Sequence, residues 1–306
     1  MDWRMYLAVN KDIQVPQGED PEQFATNHWQ SHGVQEQRPT SFTNDTRVHH
    51  ARFGNLFFVN MAAHFIALQR NLHINYKYHD QFQRLGVELF QPQNPTQADT
   101  YNNNVTVLDD TNFLDYVYEC PSKTRQLRFT NNAWFQSRPF VELLWSYFRL
   151  IPSNRLKIEA SNPFLKEHED DVFVHVRLGD LVDRMDALDL FTYYETALQS
   201  LPPYSRGFLS SDSMQHPLCQ RLMYRFRLIP LSPDAEEVDL VQHANACRYL
   251  VLSGGTFSFL MAFFNYRAEK VFYPVLPDPW YGDIFYPWTG IPCARKTDEK
   301  KENKEE

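Results

Sequence analysis

The chain has 306 residues, 43% hydrophobic, 15% aromatic and 22% charged, with a formal net charge of −8. That length holds two domains of ordinary size and enough apolar side chains to bury a core, which excludes global disorder. The negative balance argues against a nucleic-acid partner, whose phosphates need a basic surface, and no stretch approaches the roughly 18 apolar residues of a membrane span.

The start, "MDWRMYLAVNKDIQ", carries no leader pattern. Four scattered cysteines, Cys120, Cys219, Cys247 and Cys293, form no CxxC pair. A reduced, cytoplasmic protein is expected, or a soluble form of an anchored one. Asn44-Asp45-Thr46 and Asn104-Val105-Thr106 match the glycosylation acceptor pattern, which chance produces often.

Residues 12–46 are polar and read as irregular chain. Then Phe57, Phe58, Met61, Ala62, Phe65, Ile66 and Leu68 recur at helical spacing, so a helix is expected from about Asn55 to Arg70. A strand follows near Leu72–Tyr76. "VTVLDD" is a candidate strand, and "FVELLWSYFRLI", 140–151, an apolar helix. Pro152 and the polar "EASNPFLKEHEDD" read as a domain boundary. From there strands and helices alternate: strand 172–178, helix 191–201, strand 206–211, helix 216–226, strand 227–232, helix 235–247, strand 248–253, helix 257–266, strand 270–275. This alternation implies a doubly wound parallel sheet. The expected division is 1–165, 166–292, and a disordered charged tail, 293–306.

Three strands of that sheet end in polar groups. "VFVHVRLGD", 172–180, runs from four apolar positions into His175, Arg177, Gly179 and Asp180. In open α/β sheets ligands bind at the C-terminal ends of strands, so an arginine there suits a phosphorylated ligand. A strand end with a salt bridge is the plainer alternative. "YLVLSGGTFSFLMAFF", 249–264, passes from a buried strand through Gly254 and Gly255 into a helix. The free N–H groups of a helix start, with the hydroxyls of Ser253, Thr256 and Ser258, make an anion site. The alternative is a capped turn, with Thr256 or Ser258 as N-cap. "FLSSDSMQHP", 208–217, ends in Ser210, Ser211, Asp212 and Ser213. Asp212 is placed near a ribose or base, or else caps the next helix. Together the three edges describe a nucleotide diphosphate site. His243 and Cys247, four apart on a helix, are a possible metal pair but lack a second pair, so packing is the expected role. No metal is expected, and arginine and helix N–H groups then neutralise the diphosphate.

These blocks resemble the fucosyltransferase superfamily: the α-1,2-, α-1,6- and protein O-fucosyltransferases. "HVRLGD" resembles their HxRRxD motif, "FLSSDS" their SDD-type segment, and "LSGGTFSFLMAFFN" their SxSxFSWW-like strand–turn–helix. "ARFGNLFFVNMAAHFIALQRNLHINY" is similar to their N-terminal helix entry. The blocks come in the family's order over roughly residues 50–290. The resemblance implies a GT-B-like α/β architecture, two Rossmann-like domains with a cleft between them. It also implies inverting, metal-independent transfer of L-fucose from GDP-fucose to a glycan or other hydroxyl acceptor, with no cofactor beyond the nucleotide sugar. By position, Arg177 would bind the β-phosphate, His175 would lie beside the nucleoside, Thr256, Phe257 and Ser258 would form the phosphate turn, and Asn55 would face the sugar.

Three positions depart from the pattern: Leu178 for the second arginine, Ser213 for the second carboxylate, and Leu56 for a glutamine. A carboxylate grips the two adjacent donors of guanine, so Ser213 keeps another donor, such as UDP-xylose, in view. A catalytically silent nucleotide- or sugar-binding protein is the third reading. Asp180, Asp183 and Asp186 are the candidate bases, with anchoring of the loop the expected role of Asp180. Tyr101, Trp134, Trp145, Trp280 and Tyr281 are candidates to stack on sugar rings, with core or surface packing the expected role for all but Trp280 and Tyr281.

Overall fold

The computed structural model describes residues 3–10, 12–33, 35–36, 51–70, 74, 76–91, 105–118, 126–130, 133–186, 188–277, 279, 283–288, 290–293 and 295. Tyr101, Cys120, Trp280, Tyr281, both glycosylation acceptors, most of the expected strand at 72–76 and nearly all of the charged tail lie outside the described residues. The chain divides into two compact units, Met1–Gln83 with Glu88–Gln136, and Arg84–Val87 with Ser137–Glu306.

The first unit carries α1 (Trp3–Val9), α2 (Pro21–His28), α3 (Phe53–Arg70), most of α4 (His79–Arg84) and α5 (Phe113–Tyr118). It also carries a parallel pair of strands, β1 (Val105–Leu108) and β2 (Gln126–Phe129). Helix α3 is predominantly apolar and buried over most of its length, from Phe53 through Leu56, Phe57, Met61 and Phe65. Phe53 stacks on Phe82 with ring centroids 4.6 Å apart, and Phe135 packs against Phe113 and Phe129 at 4.6 and 4.9 Å.

The second unit begins with α6 (Arg138–Trp145), a π-helical turn (Ser146–Leu150) and α7 (Pro152–Ser161). The expected boundary at 165/166 therefore falls inside this unit. The reason is packing. Trp145 and Phe148 contact Phe263 edge-on at 5.6 and 5.7 Å, and Arg149 donates to the carbonyls of Phe263 and Asn265 at 3.1 and 3.0 Å. Pro152 does not break the chain but opens a helix, because its missing N–H is an orphan in the first turn anyway.

Beyond α7 come β3 (Val172–Val176), α8 (Val182–Asp186), α9 (Leu190–Gln199), β4 (Gly207–Ser211), α10 (Pro217–Phe226), β5 (Ile229–Pro230), α11 (Glu237–Ala246), β6 (Tyr249–Val251), α12 (Thr256–Phe263), β7 (Lys270–Val275) and β8 (Gly290–Pro292). The six strands form one all-parallel sheet in the order β5-β4-β3-β6-β7-β8. Strands β3, β4 and β6 are buried along their whole length, as a sheet covered by helices on both faces requires. Counted from β3, the spatial order is that of a Rossmann-like sheet, and the winding reverses between β3 and β6. Pro230 and Pro292 sit on the two edge strands, where a missing N–H costs no ladder bond. No helix among the described residues is long and apolar enough to cross a membrane.

Candidate functional site at the sheet's switch point

The ladders show where the sheet opens. Strand β3 pairs with β4 up to Val176↔Ser211, but with β6 only up to Val174↔Val251. The strands on either side of the reversal thus diverge before β3 reaches its end. Two buried tyrosines of α9 sit at the fork. Tyr194 Oη donates to the His175 carbonyl at 2.7 Å, and Tyr193 Oη donates to the Leu252 carbonyl at 2.6 Å. Burial raises the Tyr194 phenol well above its usual pKa, so it stays a donor.

His175, 4% exposed, lies between β3 and α12. Its Nδ1 is 2.7 Å from Ser258 Oγ and 3.2 Å from Ser253 Oγ, and the two hydroxyls are 3.0 Å apart. Phe257 meets the imidazole edge-on at 5.5 Å. Burial lowers the His175 pKa to about 4, with nearby Asp212 pulling weakly the other way, so the ring is neutral at physiological pH. Ser253 and Ser258, each 1% exposed, have their hydroxyls within hydrogen-bond distance of His175 Nδ1 and of each other.

Helix α12 starts at Gly255, whose φ of +102° suits a residue without a side chain. No side chain caps it, so neither Thr256 nor Ser258 is the N-cap. Gly254 is buried beside it, and Thr256 and Phe257 are half-buried in the first turn. At the other end of the helix, Arg149 serves the last carbonyls, stacked on Trp145 at 3.8 Å and on Tyr266 at 5.0 Å. A cation there complements the helix dipole, whose positive end faces the switch point. Trp145 is accordingly a structural residue: its ring face carries Arg149 and its indole N–H donates to the Tyr286 carbonyl at 3.2 Å. Trp134 belongs to the first unit, where its backbone N–H donates to Asp110.

Arg177 follows β3 directly. Its guanidinium pairs with Asp212 through Nη1 and with Asp180 through Nη2. Asp212 also accepts from the Leu178 N–H at 2.9 Å, so both its oxygens are engaged. In this arrangement Asp212 orients Arg177 and ties the 177–179 turn to the end of β4. It does not cap α10, since His216 holds that position and accepts from the Leu218 N–H at 3.2 Å. Ser213 accepts from the Gly179 N–H at 3.3 Å, and buried Ser211 accepts from the Ser213 N–H at 3.0 Å. Gly179 has φ +36°, and a Cβ there would lie 2.5 Å from Asp212 Oδ2. Gly179 stands in the sequence motif, but no local signal marks this close approach.

The structure thus brings His175, Arg177, Asp180, Ser211, Asp212 and the 253–258 turn to neighbouring strand ends of one sheet. Asp183 is exposed on α8. Asn55 belongs to the first unit, at the start of α3, where its side-chain oxygen accepts from Gln136 Nε2 at 3.1 Å. A hollow of about 560 Å³ in the first unit is lined by one stretch of chain, Glu19 to His32, and includes none of the expected site residues.

His243 and Cys247 have packing roles. His243 stacks on His168 with centroids 4.2 Å apart and interplanar angle 14°, and burial lowers its pKa to about 4. The buried Cys247 thiol donates to the His243 carbonyl at 3.4 Å, and burial raises its pKa. Among the described residues, no three His, Cys, Asp or Glu side chains group in a way that could hold a metal ion.

Chemically, a guanidinium and an uncapped helix start at adjacent strand ends can hold a phosphate or diphosphate and stabilise negative charge on it. Compared with known proteins, the chain matches no family model, no curated protein and no solved structure.

Proposed function

We propose that the chain is an inverting, metal-independent glycosyltransferase that moves a sugar from a nucleoside diphosphate to a hydroxyl of a glycan or other acceptor, with L-fucose from GDP-fucose as the first-choice donor. One observation carries the reading: Arg177 and the Gly254–Gly255 entry to α12 stand at the two strand ends that diverge at the sheet's switch point. In this reading the second unit holds the donor. The first unit, with Asn55, holds the acceptor side of a GT-B-like pair of domains.

The acceptor oxygen attacks the anomeric carbon, the bond from that carbon to the diphosphate breaks, and the nucleoside diphosphate leaves with the electron pair. Arg177 and the α12 N-terminus stabilise the departing charge. One of the carboxylates that follow β3, Asp180, Asp183 or Asp186, takes the acceptor proton. The occupied oxygens of Asp212 favour a second donor reading, because a carboxylate spent on Arg177 and Leu178 is not free to grip guanine. A UDP sugar such as UDP-xylose fits that arrangement as well.

Arg177→Ala tests the role of the guanidinium. The expected loss of turnover is at least about a hundredfold, or about 2.7 kcal/mol, with the fold retained. A change under about threefold refutes it, and a protein that binds nucleotide without turnover is the silent member of the same fold.

A further inference from the structure

We propose that Asp180 is a resident counter-ion on Arg177, which a diphosphate must displace, so that this carboxylate sets how tightly the site holds anions. The inference rests on the diphosphate site proposed above and concerns its regulation.

The two carboxylates on Arg177 are held differently. Asp212 has one oxygen on Arg177 and the other on the Leu178 N–H, and its carboxylate lies against the bare Cα of Gly179. Its side chain is 31% exposed. Moving it breaks the tie between the 177–179 turn and β4. Asp180 reaches Arg177 from three residues along the chain, on the single 3-10 turn Gly179–Leu181, and its side chain is 59% exposed. An exposed ion pair of this kind is weak, because water solvates the released carboxylate almost as well. An incoming phosphate oxygen therefore takes the Nη2 side of the guanidinium, and Asp212 keeps Nη1 in place.

Charge sets the cost of that exchange. Two carboxylates around one guanidinium leave the group net negative, so an approaching anion meets repulsion until Asp180 swings away. Removing the Asp180 charge should tighten anion binding, whereas a residue that helps bind or orient the ligand would weaken it when removed.

The test is calorimetric titration with inorganic pyrophosphate, in EDTA at low salt, of the full chain and three variants. Asp180→Asn should tighten binding by about threefold to tenfold. Asp234→Asn removes the same charge from an exposed loop of the same unit and should change affinity by less than about twofold. Asp212→Asn should weaken binding, since Arg177 loses its fixed partner. Wild-type binding with unchanged or weaker affinity in Asp180→Asn overturns the role of Asp180 and leaves the diphosphate site standing. An equal gain in Asp234→Asn overturns it too, by reducing the effect to net charge. No binding by either wild type or Asp180→Asn overturns the diphosphate site itself.

Discussion

Gly179→Ala measures how tightly the site's geometry is bound to its sequence. At φ +36° an L side chain costs about 1 kcal/mol in the backbone alone. The new Cβ would also stand 2.5 Å from Asp212 Oδ2, a clash, and 3.1 Å from Arg177 Nη1, a tight contact. Asp212 is a short side chain and can rotate away, but it then gives up the Leu178 N–H and its hold on Arg177. The first loss is worth about 1–2 kcal/mol for a bond to a charged acceptor, and the second, partly exposed, up to about 1 kcal/mol. The sum is about 2–4 kcal/mol, read as a shift of the urea midpoint, together with weaker diphosphate binding. Gly18→Ala is the control: its φ is +93° with nothing within 4 Å of the added Cβ, so it should carry only the backbone cost. If Gly179→Ala costs no more than Gly18→Ala and leaves binding intact, the latch between the 177–179 turn and β4 is not what holds Arg177.

Two further predictions concern buried polar groups. Burial holds His64, His175 and His243 near a pKa of about 4, against the ordinary 6.5. The unfolded chain therefore takes up protons that the folded chain refuses. Stability should fall as pH drops below 6.5 towards about 4, by up to about 1.4 kcal/mol per pH unit for each histidine. Urea unfolding from about pH 7.5 to about pH 5 checks this, and a flat profile contradicts it. Tyr194→Phe removes the donor from the His175 carbonyl at the fork and leaves a buried acceptor unpaired, at a cost of about 1–2 kcal/mol in the same assay. A cost below about 0.3 kcal/mol would mean that water or a neighbour serves that carbonyl equally well.

Much of the second unit is legible in the sequence. Its strands are short apolar runs bounded by turn signals, and burial on both faces leaves little else for such runs to be. The expected strand at 227–232 shrinks to Ile229–Pro230 because it is an exposed edge strand with a proline that cannot extend the ladder. In the first unit the polar α2 falls in a stretch that reads as irregular chain, although Asp20-Pro21-Glu22 spells a helix start. Asp20 accepts from the Gln23 N–H at 2.9 Å, and Pro21 takes the first helical position. Pro152 misleads in the same way, as a helix-opening proline taken for a breaker.

The candidate site is legible as a place and illegible as a network. That Arg177 and Asp212 share an edge follows from their being at the ends of consecutive strands. That they pair depends on the register Val176↔Ser211, which no local pattern encodes. Likewise Ser253 and Ser258 resemble ligand donors in their own turn. Only the packing of α12 beside β3 turns them towards His175, 78 and 83 residues away in sequence.

The most direct test of the central claim is calorimetric titration of the purified protein with GDP, UDP and a control nucleotide, first in EDTA and then with Mn²⁺. Binding of a nucleoside diphosphate is expected in EDTA, unchanged by Mn²⁺ and lost in Arg177→Ala. GDP preference supports the fucosyl donor, and UDP preference moves the donor to the second reading with the switch-point site intact. Binding of neither nucleotide, or binding only with Mn²⁺, would contradict a metal-independent diphosphate site at the ends of β3 and β6.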